Sequence, residues 1–264
     1  MGAISSKDII KPAIEQIELL MAPDCEPTEK LIHQTRVSIK RLRARVRMLR
    51  KLTGDKQYMS VLVEHAKILS RQLSTQRDLD VMSALLSFLA DEHKDAAAKA
   101  VLEKVKFRMI VAQEDNCFDQ EAVHGFAKTI CTDFADSEDH VFDDDFVRKF
   151  INKRVNRVFE QGEKVLTDGE CEPLHEWRKD VKNFLYQNEL LSEEQELLPK
   201  KPLAALGKVL GRVHDICVLD ELVDKMQDRP SPFLNKDEYE LLMGIVRKHE
   251  QDLFDQTHEA YKAV

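Results

Sequence analysis

The sequence contains few glycines and prolines, which interrupt helices, and few aromatic residues and cysteines. Its 264 residues include eight glycines, eight prolines and 6% aromatic residues. The five cysteines form no close pairs, which argues against a zinc site or a disulfide framework and favours a reducing, cytoplasmic setting. No apolar stretch approaches the roughly 18–20 residues of a membrane span. No basic-flanked apolar run opens the chain, so we expect no signal peptide.

The residues that are abundant favour long helices. Apolar residues make up 43% of the chain and charged residues 33%, a mixture typical of helical proteins. Apolar positions recur at steps of three and four, and we find no convincing strand pattern. We therefore expect an all-α fold, with helices near 6–21, 29–52, 146–166, 172–191, 203–210, 215–227 and 237–261, two or three within 57–89, and others within 94–134.

Two blocks of the first half recur in the second half. The pattern H-x-x-R-x-x-x-K occurs in both, and residues 73–81 match residues 210–218. The buried stripes predicted around the first pattern also correspond: Ile32, Thr35, Ile39, Leu42, Val46 and Leu49 to Leu174, Trp177, Val181, Phe184, Asn188 and Leu191. We predict a duplicated unit with approximate two-fold symmetry. Its halves, 1–134 and 143–264, each resemble a four-helix bundle and are joined by an acidic linker, 135–142.

Positive charge is concentrated in one segment of an acidic chain. The net charge is −8, yet residues 30–51 carry nine Lys and Arg and no Asp or Glu. The remainder of the chain therefore carries a net charge of −17. A basic patch on an otherwise acidic molecule usually marks an anion site.

The basic residues of this segment form a regular row on one helical face: His33, Arg36, Lys40, Arg43, Arg47 and Arg50, widened on one side by Arg41 and Arg45. The row spans roughly 25 Å at about 1.5 Å per residue, which suits a linear anion better than a mononucleotide. Guanidinium groups bind phosphate through two parallel hydrogen bonds. The alternative is a solvated face whose charges pair with acids on neighbouring helices.

The corresponding row of the second half is weaker, because Asn183 and Leu185 stand where the first half has Arg41 and Arg43. We expect nearby basic residues to compensate. The second-half candidates are His175, Arg178, Lys179 and Lys182, with Lys153, Arg154 and Arg157 before them and Lys208 and Arg212 after them.

The histidines invite a metal or catalytic interpretation. His33 and His175 lie among Arg and Lys, which repel cations, so an anion contact is favoured. The pair His214-Asp215 resembles the His-Asp pair of metal-dependent phosphohydrolases, but its first-half counterpart is Arg77-Asp78. We interpret both aspartates as carboxylates that position basic side chains. No nucleophile–base arrangement or phosphate-binding glycine loop is visible, so we expect neither an enzyme, a metal site nor a cofactor.

Together the two blocks resemble the CHAD family, the conserved histidine α-helical domain. The residues that carry the resemblance are His33, Arg36, Lys40, Arg41, Leu42, Arg43 and Arg77-Asp78-Leu79-Asp80, then His175, Arg178, Lys179, Lys182, Tyr186 and His214-Asp215. The resemblance implies two four-helix bundles, and a basic central groove or pore that binds inorganic polyphosphate. Members resemble granule-associated or polyphosphate-targeting modules.

We therefore expect a non-catalytic, cytoplasmic polyphosphate-binding protein, located on or organising polyphosphate granules, with or without divalent cations on the ligand. The alternatives are a nucleic-acid-binding protein and, less favoured, a polyphosphate phosphohydrolase. The expected contacts are His33, Arg36, Lys40, Arg41, Arg43, Arg47, Arg50, Arg77, Lys153, Arg154, Arg157, His175, Arg178, Lys179, Lys182, Lys208, Arg212 and His214. No membrane contact is expected, and the first-half helix is expected to contribute most of the binding.

Overall fold

The computed structural model describes residues 2–22, 28–73, 75–111, 119–168, 171–191, 198–228 and 232–264, and only the backbone of residues 75–80, 111, 168 and 171. The expected all-α fold is confirmed. The helices of the described residues are α1 Ser6–Glu18, α2 Glu29–Thr53, α3 Ser60–Gln72, α4 Thr75–Glu92, α5 Ala96–Val111, α6 Gln120–Asp136, α7 Asp144–Asp168, α8 Cys171–Asn188, α9 Lys200–Gln227 and α10 Lys236–Lys262. A short 3-10 turn, Leu19–Met21, extends α1.

Helix α2 begins and ends at residues suited to those positions. The Thr28 hydroxyl accepts a hydrogen bond from the Leu31 amide at 3.2 Å, and Gly54 takes the left-handed conformation (φ 76°) just past the C-terminus. The predicted apolar stripe is confirmed, since all of its members except the half-buried Ile32 are buried. This stripe packs mainly against α1, whose isoleucines are fully buried.

The second predicted stripe is also confirmed, because all six of its members are buried. Trp177 is 2% exposed and lies edge-on to Tyr261 of α10, at 5.7 Å between ring centroids. Gly162 of α7 permits this packing, because a Cβ there would lie 2.6 Å from the Trp177 ring. The tryptophan is therefore a core residue.

One helix prediction is wrong. The segments predicted as separate helices near 203–210 and 215–227 form the single helix α9. Its buried residues, among them Leu206, Leu210, Val213 and Ile216, continue at steps of three and four through Gly211. An isolated glycine costs only about 1 kcal/mol in a helix, and the continuous buried face outweighs this cost.

Two short strands correct the expectation of no strand. β1 (Ala3–Ser5) pairs antiparallel with β2 (Val141–Asp143), with Ile4 opposite Phe142. Three-residue strands are too short to show an alternating pattern, and the partners are far apart in sequence. They connect the start of α1 to the start of α7.

The acidic connection between α6 and α7 is tied to α1 by hydrogen bonds. The Asp139 carboxylate accepts from the Ser6 hydroxyl at 2.9 Å and from the Lys7 amide at 3.1 Å. The Tyr58 hydroxyl lies 2.7 Å from both Ser6 Oγ and the Glu138 carbonyl oxygen. Part of the segment predicted as a solvated linker is thus held by α1 and by Tyr58 of the α2–α3 connection.

The chain divides into two compact units, each made of several segments. The first unit comprises 1–75, 118–160 and 180–200; the second comprises 76–117, 161–179 and 201–264. Helices α7 and α8 contribute residues to both units. The division into halves 1–134 and 143–264, joined by a linker at 135–142, stays a prediction. The internal repeat stays a prediction.

Two arginines of α2 help to build the first unit. Arg41 donates two hydrogen bonds to the Glu189 carboxylate, at 2.8 and 3.0 Å. Arg45 is 7% exposed; it contacts the same carboxylate at 3.3 Å and donates to the carbonyl oxygen of Ile9 at 2.9 Å. Burial lowers the pKa of Arg45, and Glu189 opposes that shift. These two cations therefore pair with an acid that directly follows the end of α8.

The cysteine expectation is wrong at one residue. Cys217 of α9 is disulfide-bonded. Cys131 of α6 is a free, half-buried thiol, and burial raises its pKa to about 11. Sequence spacing missed the disulfide because folding joins cysteines that lie far apart along the chain. The cytoplasmic location stays a prediction.

We predict that Glu189→Gln lowers the free energy of unfolding by about 1–3 kcal/mol, because it leaves the buried Arg45 without its charged partner. Urea unfolding followed by circular dichroism measures the change. Glu160→Gln, at an exposed position on α7, is the matched control and should change stability by less than about 0.5 kcal/mol. Equal stability of the two variants would show that the ion pair contributes nothing.

Candidate functional site

Three cations of α2, spaced four residues apart, form one side of a charged cluster. Arg43, Arg47 and Lys51 lie on successive turns, and Arg71 of α3 lies close enough to act on Arg43. Burial and the charge of Arg47 lower the pKa of Arg43, Glu64 raises it, and Arg71 lowers it further. These guanidinium groups therefore repel one another in the folded protein.

Helix α7 adds two more cations to this cluster. Burial, followed by the charges of Arg154, Arg157 and Arg47, lowers the pKa of Lys51, and Asp180 partly opposes the shift. Burial also lowers the pKa of Arg154. Asp180 opposes this shift, and the charges of Arg47 and Arg157 add to it. The six cations form what we call the first-unit patch: Arg43, Arg47, Lys51, Arg71, Arg154 and Arg157.

A buried amide fixes Arg154 relative to α2. Gln187 of α8 is fully buried; its Oε1 accepts from Arg154 Nη1 at 2.8 Å, and its Nε2 donates to the Ala44 carbonyl oxygen at 2.7 Å. Asp180 lies 3.9 Å from Arg154 Nη2, at the limit of an ion pair. The position of Arg154 is thus set mainly by a neutral partner.

The cluster shares Arg43 and Arg47 with the row that the sequence suggested, and it continues to Lys51 instead of Arg50. Arg50 donates to the Tyr58 carbonyl oxygen at 2.8 Å and closes the α2–α3 connection. Arg36 donates to the Leu73 carbonyl oxygen at 2.9 Å. Lys51 and Arg71 were missed as candidates, although the spacing 43, 47, 51 is a regular i, i+4 series that could have identified Lys51.

The other first-unit candidates are more dispersed. His33 and Lys40 are exposed on α2, and Lys153 is exposed on α7. Lys182 of α8 is half-buried. The candidate Arg77 belongs to the second unit, and its side chain lies outside the described residues, as do those of Asp78 and Asp80.

In the second unit, a histidine pair lines a cavity between α8 and α9. The Nδ1 atoms of His175 and His214 lie 2.9 Å apart, and the ring centroids 4.3 Å. The cavity has a volume of about 210 Å³, and its apolar wall includes Leu174, Leu210 and Val213. Its size suits a small polar group held against one apolar side.

Both basic and acidic residues lie near the histidine pair, and the acidic Glu172 and Glu221 line the cavity itself. Burial, then Arg178, His175 and Lys179, lowers the pKa of His214 to about 4. Burial, Lys179 and Arg178 likewise lower the pKa of His175. Lys179 also pairs with Glu176 at 2.6 Å, so part of its charge is already balanced. The structure thus brings the candidates His175, Arg178, Lys179 and His214 together.

The remaining candidates of the second unit lie apart from this cavity's lining. Lys208 and Arg212 are both exposed on α9. Burial lowers the pKa of His249 of α10, Asp252 opposes the shift, and the charge of Arg212 lowers the pKa further.

The described residues contain neither a membrane-spanning helix nor a cluster of metal ligands. No helix in the described part of the chain is long and apolar enough to cross a membrane. Within the same residues, no group of three or more His, Cys, Asp or Glu side chains is arranged to hold a metal ion.

Comparison with known proteins identifies the family of this chain. The family model described as the CHAD domain matches residues 14–224, which is well over half of the chain. The match includes α2, α7, α8 and the His214 end of the cavity. No curated protein matches the sequence. Polyphosphate binding is the known association of this family. The chain belongs to the CHAD domain family.

Proposed function

We propose that this protein binds inorganic polyphosphate without hydrolysing it, and that the first-unit patch is the main contact. The observation that carries the proposal is the convergence of six cations from α2, α3 and α7. Among the described residues, the carboxylates whose charges reach the cluster are Glu64 and Asp180. The patch therefore retains a strong positive potential.

Such a cluster is unfavourable without an anion. Burial and, after it, like charges lower the pKa of Arg43, Lys51 and Arg154, which means that their charged forms are destabilised where they lie. A polyanion bound across the patch would relieve this repulsion and replace it with charge-assisted hydrogen bonds. The folded protein thus destabilises the same positive charges that a bound polyanion would stabilise.

The dimensions of the patch suit a chain of phosphates. Arg43 and Lys51 are eight residues apart on α2, about 12 Å along the helix axis. Arg71, Arg154 and Arg157 extend the patch onto two further helices. Arg47, Lys51, Arg71 and Arg157 are exposed, so their charged groups are accessible to a ligand. A single phosphate could contact only part of this surface.

We propose the second-unit cavity as a separate, weaker phosphate contact. The histidine pair supplies donors there, and the charges of Arg178 and Lys179 act on the pair from outside the cavity lining. Glu172 and Glu221 line the cavity and, with Glu176, reduce the positive potential. The proposal includes the basic groove implied by the family resemblance, and the first-unit patch would form part of its wall. It also includes targeting of the protein to polyphosphate granules.

Two alternatives make different demands on these residues. A nucleic-acid binder usually stacks bases on aromatic rings, and the six side chains of the first-unit patch include none. Tyr186 lies 5.7 Å from Arg41, but Arg41 is held by Glu189 outside the patch. A polyphosphate phosphohydrolase would typically need metal-ligating carboxylates beside the basic residues. Both alternatives are outcomes of the binding experiments below.

We predict that Arg47→Glu combined with Lys51→Glu weakens binding of long-chain polyphosphate by at least about 100-fold. Each lost charge-assisted hydrogen bond is worth about 1.5 kcal/mol or more, and the introduced carboxylates repel the ligand. Fluorescence anisotropy with end-labelled polyphosphate measures the dissociation constant. Both positions are exposed, so the fold should tolerate the changes.

The matched control is Lys11→Glu combined with Lys128→Glu, which changes the net charge equally at exposed positions of α1 and α6. This variant should bind within about threefold of the native affinity, since screening limits distant charges. If both double variants weaken binding equally, net charge and not the first-unit patch controls the affinity.

We also predict a preference for long polyphosphate over short polyphosphate, single-stranded DNA and double-stranded DNA. Affinity should fall steeply with salt, because a ligand that contacts several cations displaces several counterions. Competition at two salt concentrations tests both statements. DNA binding as tight as polyphosphate binding would favour the nucleic-acid alternative. Release of orthophosphate with magnesium would favour the phosphohydrolase.

A further inference from the structure

The histidine pair of the second-unit cavity has an unusual proton arrangement. A separation of 2.9 Å between the Nδ1 atoms of His175 and His214 is a hydrogen bond, so one Nδ1 carries the proton and the other accepts it. In the neutral pair, the donating ring has a bare Nε2 and the accepting ring has a protonated Nε2. The pair therefore offers a ligand one acceptor and one donor.

A single additional proton changes what the pair offers. It protonates the bare Nε2, so both Nε2 atoms become donors while the Nδ1–Nδ1 hydrogen bond persists. A second additional proton would place hydrogens on both Nδ1 atoms and break that bond. The pair is therefore limited to one extra proton, and that proton converts a mixed site into a site for anions.

The charges around the pair oppose this proton when the cavity is empty. Burial, Arg178 and Lys179 disfavour a positive charge on either ring. The carboxylates that act in the opposite sense lie on both helices that form the cavity: Glu172 and Glu176 on α8 and Glu221 on α9. These groups leave the pair neutral near pH 7. A phosphate in the cavity would add negative charge within reach of both rings and reverse the balance.

We propose that a phosphate group entering the second-unit cavity brings one proton onto the His175–His214 pair, so that polyphosphate binds more tightly as pH falls. This inference rests on the proposed function and adds its regulation. No covalent bond changes: the proton comes from water or buffer and resides on the outward Nε2. The first-unit patch contributes no such coupling, because arginine stays charged throughout this pH range.

Calorimetric titration of the native chain with long-chain polyphosphate near pH 6 tests the proposal. The internal phosphates of a long chain are fully ionised there, so any proton taken up goes to the protein. Repeating the titration in buffers of different ionisation enthalpy gives the number of protons absorbed. We expect uptake approaching one proton per bound protein chain, and affinity rising by up to about tenfold per pH unit as pH falls.

Variants assign the proton to the pair. His214→Gln and His175→Gln should each abolish most of the uptake, because the remaining imidazolium would lose the ring nitrogen that accepts its Nδ1 proton while still lying near Arg178 and Lys179. His124→Gln, at an exposed position of α6, is the matched control and should leave uptake unchanged. Persistent uptake in both cavity variants would overturn the assignment. The native chain alone also decides the coupling, even if a variant fails to fold.

The outcomes separate this inference from the proposed function. Tight binding of polyphosphate with no proton uptake would overturn the coupling and leave the function intact. Absence of polyphosphate binding at any pH would overturn the function itself. Binding with uptake of about one proton, lost in both cavity variants, supports both.

The lowered pKa of His214 also makes the free energy of unfolding depend on pH in the absence of ligand. The pKa of His214 falls from its ordinary value of 6.5 to about 4, so between these values the unfolded chain binds the proton and the folded chain does not. The contribution of His214 to stability therefore decreases as pH falls through that window. We predict that His214→Gln flattens the pH dependence of the free energy of unfolding between about pH 7 and 4. A slope unchanged from the native chain would show that His214 titrates normally.

Discussion

Burial of the apolar face of α2 holds together a group of cations that would otherwise separate. Ile39, Leu42, Val46 and Leu49 are all essentially inaccessible to water, and the helix packs chiefly against α1. Each buried aliphatic side chain contributes about 1.5–3 kcal/mol, which offsets the repulsion among exposed charges a few residues away. The position of the first-unit patch thus depends on the core. Loosening this face would disperse the patch before it removed any cation.

Residue periodicity predicted much of the fold, because buried helical faces impose steps of three and four. It predicted both buried stripes correctly, but it divided α9 near Gly211 and missed two three-residue strands. The candidate site was less predictable. Whether an arginine of α2 faces solvent, a carbonyl or a carboxylate depends on partners distant in the chain, such as Glu189 for Arg41 and Tyr58 for Arg50. Spacing alone could not identify those partners.

The phosphate contacts proposed for the two units differ in character. In the first unit, guanidinium and ammonium groups are charged at every physiological pH, so their effect varies mainly with salt. In the second unit, His175 and His214 are imidazoles whose charge depends on pH and on what occupies the cavity. Disulfide-bonded Cys217 lines the same cavity, so its wall is covalently constrained at one point.

The amide of Gln187 has a consequence for the charge of the protein surface. It holds Arg154 and the backbone of α2 through two hydrogen bonds, yet it brings no charge of its own. A glutamate in its place could grip the guanidinium equally well, but it would cancel one positive charge of the patch. An uncharged anchor lets the protein fix the direction of a cation without adding a second carboxylate beside Asp180.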